Sequence, residues 1–251
     1  MVGVRTMTTE FGYLFRHYWI PATNLRYETS TVQLFPDGHM SVNRRSITQR
    51  MTKCDANSCT WREKTTLLDE AHEEQYRFYP ASEGESICEY DRSQQAFYER
   101  AIGSSGETSR ITAQQHALLR QPILTPLLPI PCGFQWHVRA KQADENADYL
   151  EYTLESVRQI NGMTVLFVRK RGEFYLDGLL RYKGFTWRFG TPSYARLRIV
   201  RSGITAYSLD RSVVLEDRTH DVVMSDHQRL PVRGLETWNI RKLVESLEPL
   251  D

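Results

Sequence analysis

The densest grouping of chemistry-bearing side chains is His220-Asp221-Val222-Val223-Met224-Ser225-Asp226-His227, two imidazoles and two carboxylates in eight residues. Imidazoles and carboxylates together can ligate a divalent metal or pass a proton between them. His220, Asp226 and His227 are the candidate ligands. Their spacing matches no established ligand pattern, and the polar surroundings predict a solvated loop after the last good strand. Neither a metal nor a cofactor is therefore expected. Elsewhere the chemistry is thinner still. His116 and His137 have no nucleophile beside them in the chain, so the histidine–nucleophile logic has nothing to act on. Ser104-Ser105-Gly106 lacks the GxSxG elbow, and no phosphate loop or GxGxxG turn is present. Glu151 and Glu155 make a carboxylate pair that a solvent-facing stripe would show equally well. These residues name no reaction, and a non-enzymatic role is expected.

Cysteine usage adds one structural candidate. Cys54 and Cys59 bracket Asp55-Ala56-Asn57-Ser58, a turn-like run that would let a hairpin disulfide form. Cys88 and Cys132 stand alone, the pairing of the four stays open, and no CxxC pair supports zinc.

The elements that must position such residues are mostly strands. In Leu150-Glu151-Tyr152-Thr153-Leu154-Glu155 every second residue is apolar, and the same period recurs in Phe185–Phe189 and Ala195–Ile199. A period of two puts one set of side chains on each face of a half-buried sheet. Trp136, Leu150, Tyr152, Leu154, Phe185, Trp187, Phe189 and Leu197 are the candidates for its dry face. That face either receives an apolar ligand or simply fills itself as a core. Thr31–Phe35, the turn Pro36-Asp37-Gly38 and Met40–Met51 read as a hairpin. Cys59–Leu68 and Ile87–Ile102 are further strands, although Thr66-Leu67-Leu68-Asp69 would equally start a helix through Tyr76. Two helices are predicted. One follows the capping box Thr112–Gln115, with Leu118 and Leu119 on its apolar face, and ends at Pro122. The other carries Ile240, Leu243, Val244 and Leu247 on one face and stops at Pro249. Prolines at 122, 126, 129 and 131 make an extended apolar connector that should lie in a groove of its own protein. The aromatic run Phe11–Ile20 is expected to pack on the core.

Composition sets the outer limits. The 251 residues are enough for a large β-unit, and 40% hydrophobic with 25% charged residues is ordinary for a globular chain. A net charge of +1 argues against global attraction to nucleic acid. No stretch approaches the about 18 apolar residues of a membrane-spanning helix, and Met1–Glu10 lacks the order of a signal peptide. The charge is nonetheless uneven. Residues 69–107 hold ten acidic side chains and three arginines, whereas residues 169–201 hold nine basic ones against Glu173 and Asp177. Arg188, Arg196 and Arg198 fall opposite Trp187, Leu197 and Ile199, and form a candidate patch for an anionic partner. Nucleic-acid stacking would need rings and cations on one face, which this alternation denies.

The segments Leu128–Trp136, Tyr152–Gly162 and Val165–Arg169 resemble the strand–turn–strand rhythm of bacterial envelope β-proteins of the lipoprotein-carrier type, over about residues 123–217. That resemblance implies a curved antiparallel sheet wrapped round a helix, with an apolar pocket. It also implies a non-enzymatic role in binding or sensing acyl chains or lipoproteins, outside the cytoplasm, and supplies no catalytic residues to carry over. The expectation is a mainly β protein: a curved antiparallel sheet or half-barrel with two or three packed helices. The chain would form one compact unit with halves 1–121 and 122–251. Its expected partner is a lipid-like molecule or a hydrophobic protein segment. The alternatives are an assembly protein docking through segments 69–107 and 169–201, and a metal-dependent enzyme using the His220–His227 loop.

Overall fold

The computed structural model describes residues 8–9, 12–13, 24–55, 58–71, 84–91, 96–102, 109–112, 129–139, 149–176, 179–182, 185–188, 197–211, 213–225 and 233–247. Among these described residues every regular element is a strand: β1 (Thr8–Thr9), β2 (Gly12–Tyr13), β3 (Asn24–Leu34), β4 (Met40–Cys54), β5 (Ser58–Ala71), β6 (Gly84–Asp91), β7 (Ala96–Ala101), β8 (Ser109–Thr112), β9 (Gln135–Arg139), β10 (Tyr149–Ile160), β11 (Met163–Leu176), β12 (Leu179–Tyr182), β13 (Phe185–Arg188), β14 (Leu197–Ser208), β15 (Val213–Ser225) and β16 (Arg233–Leu247). Twelve of them form one antiparallel sheet in the order β8-β7-β6-β5-β4-β3-β16-β15-β14-β11-β10-β9. It is not closed into a barrel. β1–β2 and β12–β13 are separate two-stranded ribbons. The seam between the chain halves is the pairing of β3 with β16.

Turn chemistry sets the register. At the β3–β4 corner Gly38 takes a φ of 84°, and its N–H donates to the Phe35 carbonyl at 2.9 Å. Pro36 supplies the fixed φ that starts this corner. The β10–β11 hairpin turns on Asn161 and Gly162, with φ of 51° and 78°, the paired positive values a two-residue turn needs to match strand twist. Between β4 and β5, the Asp55 carboxylate accepts from the Ser58 N–H at 2.8 Å, and the register sets Cys54 opposite Cys59. Cys59 is disulfide-bonded, whereas Cys88 and Cys132 are free thiols.

One face of the sheet is buried. Its main core comprises Phe35, Ile130, Leu150, Tyr152, Leu154, Leu166, Val168, Phe174, Ile199, Tyr207, Leu209, Val223 and Leu235. The described end of the proline connector, residues 129–132, contributes to it. Ile130, set between Pro129 and Pro131, is buried and exchanges both backbone hydrogen bonds with Tyr13, at 2.8 and 3.0 Å. Gly12 makes room for that contact, since a Cβ there would stand 2.6 Å from the Ile130 backbone.

Three readings of the sequence need correction. The helix expected at Ile240–Leu247 is the end of β16, hydrogen-bonded to both β15 and β3. Ile240 and Val244 share one parity of the strand and Leu243 the other, so a spacing that would mark one helical face is divided between the two faces of the sheet. A register shift between Leu243 and Glu245 follows. Ile240 and Val244, 37% and 51% exposed, lie on the outer face, not in a helical seam. The alternative helix from Thr66 is excluded as far as Ala71, which still belongs to β5. His220 sits in the middle of β15, not in a loop. The helix expected after Thr112 falls outside the described residues beyond that position, and Ser109–Thr112 itself is strand.

Candidate ligand-binding face

Antiparallel partners point to the same side of a sheet, so the register lays the buried face out in rows across the strands. One row runs Trp136, Tyr152, Lys170, Gly203, Thr219, Asn239, Thr31, Asn43 from β9 to β4. Its neighbour towards one end of the strands runs Leu150, Gly172, Arg201, Asp221, Thr237, Gln33, Ser41. On the other side lies Leu154, Val168, Thr205, Asp217, Arg241, Thr29, Arg45. Each row starts apolar at β9–β11 and turns polar from β11 or β14 onward.

The apolar end is aromatic and graded in exposure. Phe134 is 42% exposed and stacks on Trp136 at a centroid distance of 6.4 Å. Trp136 stacks in turn on Tyr152 at 5.4 Å, and Tyr152 is 0% exposed. Leu150 and Leu154 are buried on either side of Tyr152. Trp136, Leu150, Tyr152 and Leu154 are therefore brought together as the alternation predicts. Phe185 and Trp187 lie on β13, in the separate β12–β13 ribbon, and Leu197 opens β14. Phe189 lies outside the described residues.

The polar end holds two buried ion pairs. Lys170 Nζ donates to Asp217 Oδ1 at 2.6 Å, and the Thr205 hydroxyl donates to the same oxygen at 2.6 Å. Burial pulls the Lys170 ammonium below its ordinary range, with the Asp217 carboxylate pulling it back. Arg201 meets Asp221 through two parallel bonds of 2.7 and 2.8 Å, and its guanidinium also lies 4.9 Å from the Phe174 ring centroid. Burial works to lower the Arg201 pKa, but the Asp221 bonds and charge outweigh it and hold the pKa above its ordinary range. Both cations face a glycine across the β11–β14 pair: Lys170 opposite Gly203, and Arg201 opposite Gly172. A Cβ at Gly203 would come within 2.9 Å of Lys170 Cε. The glycines thus leave room for long side chains inside a sheet.

Sequence reading missed this belt. Its signal was present in Val168, Lys170, Gly172 and Phe174, a single parity in which a lysine shares the dry face. Cation-x-Gly recurs at Lys170-Arg171-Gly172 and at Arg201-Ser202-Gly203.

Adjacent residues of a strand point to opposite faces, so His220 and Asp221 do not converge on one ion. His220 Nε2 lies 3.0 Å from Glu236 Oε2, and its ring stacks on Trp238 at 4.9 Å, on the outer face. Asp226 and His227 lie outside the described residues. Among the described residues no three potential ligands gather into a metal site.

The basic surplus of 169–201 is matched locally wherever its side chains are described. Arg169 pairs with Glu155 at 3.0 Å, Arg171 with Glu151 at 2.8 Å, and Arg198 with Glu173 through two bonds of 2.6 Å. With the two buried pairs, the carboxylates come mainly from β10 and β15. Arg188 ends β13, and Arg196 lies outside the described residues.

No family model and no curated protein matches this chain. Among solved structures, two show a weak similarity to this chain. One is a Bacteroides fragilis protein described as exported and as having a YmcC-like fold, 9% identical, with a TM-score of 0.34, the match covering 94% of this chain and 100% of that one. The other is a Vibrio parahaemolyticus domain described as an outer membrane lipoprotein-sorting protein, 7% identical, with a TM-score of 0.29, covering 89% of this chain and 84% of that one. The weak resemblance read from the strand rhythm is to the same kind of protein. At these scores the likeness carries no residue and no ligand across.

Proposed function

We propose that this protein is a non-enzymatic binding protein that holds a lipid-like molecule, or a hydrophobic protein segment, against the buried face of its large sheet. The observation that carries this reading is the aromatic ladder Phe134–Trp136–Tyr152, stepping from solvent to full burial across β9 and β10. A stack that runs from a solvent-facing Phe134, 42% exposed, to a fully buried ring offers an apolar ligand a way in. Aromatic side chains offer large, rigid apolar area at small entropic cost, which suits a path for an apolar chain. In this reading the sheet bends as a half-barrel around its ligand. Phe185, Trp187, Phe189 and Leu197 are further candidates for ligand contact in this reading, and Arg188, Arg196 and Arg198 for an anionic partner. The disulfide at Cys59 supports an oxidising, extracytoplasmic setting.

Native and denaturing mass spectra of protein purified from its own host test the proposal. A small apolar mass retained natively and lost on denaturation is the expected result, and Trp136→Ala should lower its occupancy. A clean apo monomer in wild type would sink the reading. A multimer that dissociates with salt would favour docking through segments 69–107 and 169–201 instead.

A further inference from the structure

Lys170 and Arg201 each have a carboxylate on the buried face, but a third cation there does not. Arg241, on the buried side of β16, lies with its guanidinium carbon 3.9 Å from the Tyr27 ring centroid. Among the described residues no carboxylate pairs with it. Asp217, its cross-strand neighbour in the register, is engaged by Lys170 and Thr205. The Arg241 Nε–H is buried and has no hydrogen-bond partner. Four residues earlier on the same face of β16, Thr237 is 7% exposed, and its buried hydroxyl oxygen also lacks a partner. Asn239 lies between them and accepts a 2.8 Å bond from Thr31. Buried polar atoms are seldom left unmet, because each costs the desolvation of its lost bond. Thr237 stands about 13 Å along the strand and is a separate group. The Arg241 guanidinium, stacked on Tyr27 with its Nε–H unmet and no carboxylate paired with it among the described residues, describes a place for an acceptor that carries negative charge.

The row that contains Arg241 begins at Leu154, four strand spacings away, or about 19 Å. We propose that Arg241 receives the anionic end of an amphiphilic ligand, a carboxylate or phosphate, while its apolar chain runs towards Leu154 and Tyr152. This deepens the binding reading above and rests on it. Arg241 supplies the charge. The paired Lys170 and Arg201 stay with their own carboxylates.

Titration calorimetry with laurate, dodecanol and acetate, above the pH range where carboxylates titrate, separates the outcomes. Laurate is expected to bind the wild type at least about tenfold more tightly than dodecanol, and acetate not measurably. Arg241→Gln should shrink the laurate-to-dodecanol ratio to within about twofold. Equal binding of laurate and dodecanol to the wild type would overturn the anionic site and leave the apolar binding reading standing. So would a ratio that Arg241→Gln leaves unchanged. Binding of acetate as tight as that of laurate would overturn the amphiphile in favour of a free small anion. Failure of both long-chain probes to bind would overturn the binding reading itself. If circular dichroism shows Arg241→Gln to be unfolded, Arg241→Met decides: the ratio falls to within about twofold if the proposal is right, and stays at the wild-type value if it is wrong.

Discussion

The two ends of the buried face follow the same alternation and solve different problems. At β9–β11 the inward positions Trp136, Tyr152, Leu150, Leu154 and Val168 are held by apolar packing and aromatic stacking. From β14 to β4 the inward positions in the same rows are Arg201, Asp217, Asp221, Thr237, Asn239, Arg241, Gln33 and Ser41. There each side chain must be matched individually, because a buried charge without a partner costs several kcal/mol. Alternation in a sequence therefore says which side of a strand is covered. It does not say what covers it.

The sharpest way to break the comparison is to treat the polar end as if it were apolar. Lys170→Met leaves Asp217 with the Thr205 hydroxyl but no cation, and should cost about 3–5 kcal/mol in urea unfolding. The double change Lys170→Met with Asp217→Leu should recover much of that loss, since removing both charges removes the unpaired one. A single variant as stable as wild type would mean that water reaches the belt freely. At the apolar end, Leu154→Ala should cost about 3 kcal/mol by opening a cavity against Val168 and Tyr152, and a second change nearby should not rescue it. Rescue at one end and none at the other is the signature to look for.

How much of this was legible follows from the same contrast. Hairpins with local turn chemistry were readable: Pro36-Asp37-Gly38 predicted the β3–β4 corner, and the alternation at 150–155 predicted β10 and its dry side. The proline connector was read as extended and packed, and Ile130 is buried in that way. At the end of β16 periodicity misleads. Ile240, Leu243 and Val244 have helical spacing, yet in the strand Ile240 and Val244 are exposed on one side and Leu243 lies on the other. Tertiary pairing on both edges of β16 then overrode local preference. The ion pairs were invisible for another reason. Asp217 and Asp221 lie 47 and 20 residues from the cations they meet, and no local pattern joins them. Reading His220–His227 as a solvated loop hid Asp221, one of the most buried carboxylates in the described chain. The aromatic end of the site was thus legible from sequence, and its polar end was not.

A smaller effect probes the notches that let the polar end exist. Gly203→Ala puts a Cβ 2.3 Å from the Arg218 carbonyl oxygen and 2.9 Å from Lys170 Cε. The lysine can shift, but the backbone oxygen belongs to the β14–β15 ladder and yields less easily. A loss of about 1–3 kcal/mol is expected, read from the thermal midpoint. Gly162→Ala is the control for the opposite kind of glycine. Nothing crowds its position, yet its φ of 78° disfavours a side chain, so the cost there should be set by backbone strain alone.

The smallest effect belongs to the outer face and sharpens the comparison by contrast. Glu173 accepts two 2.6 Å bonds from Arg198, and these hold its carboxyl below the ordinary range, although partial exposure limits their worth. A carboxylate with a depressed folded pKa contributes its stability in full above its unfolded value near 4.5, and loses it as pH falls through the folded value. Arg198→Gln should therefore cost at most about 1 kcal/mol at neutral pH, and nothing once both proteins are titrated into acid. Carboxyl-carbon NMR should show the Glu173 midpoint moving back up towards its ordinary value in the variant. Added salt should shrink the neutral-pH difference, whereas the Lys170–Asp217 pair, shielded from solvent, should respond to salt far less. If both pairs prove equally salt-sensitive, the buried face is wetter than its packing implies, and the distinction between the two ends of that face collapses to one of composition alone.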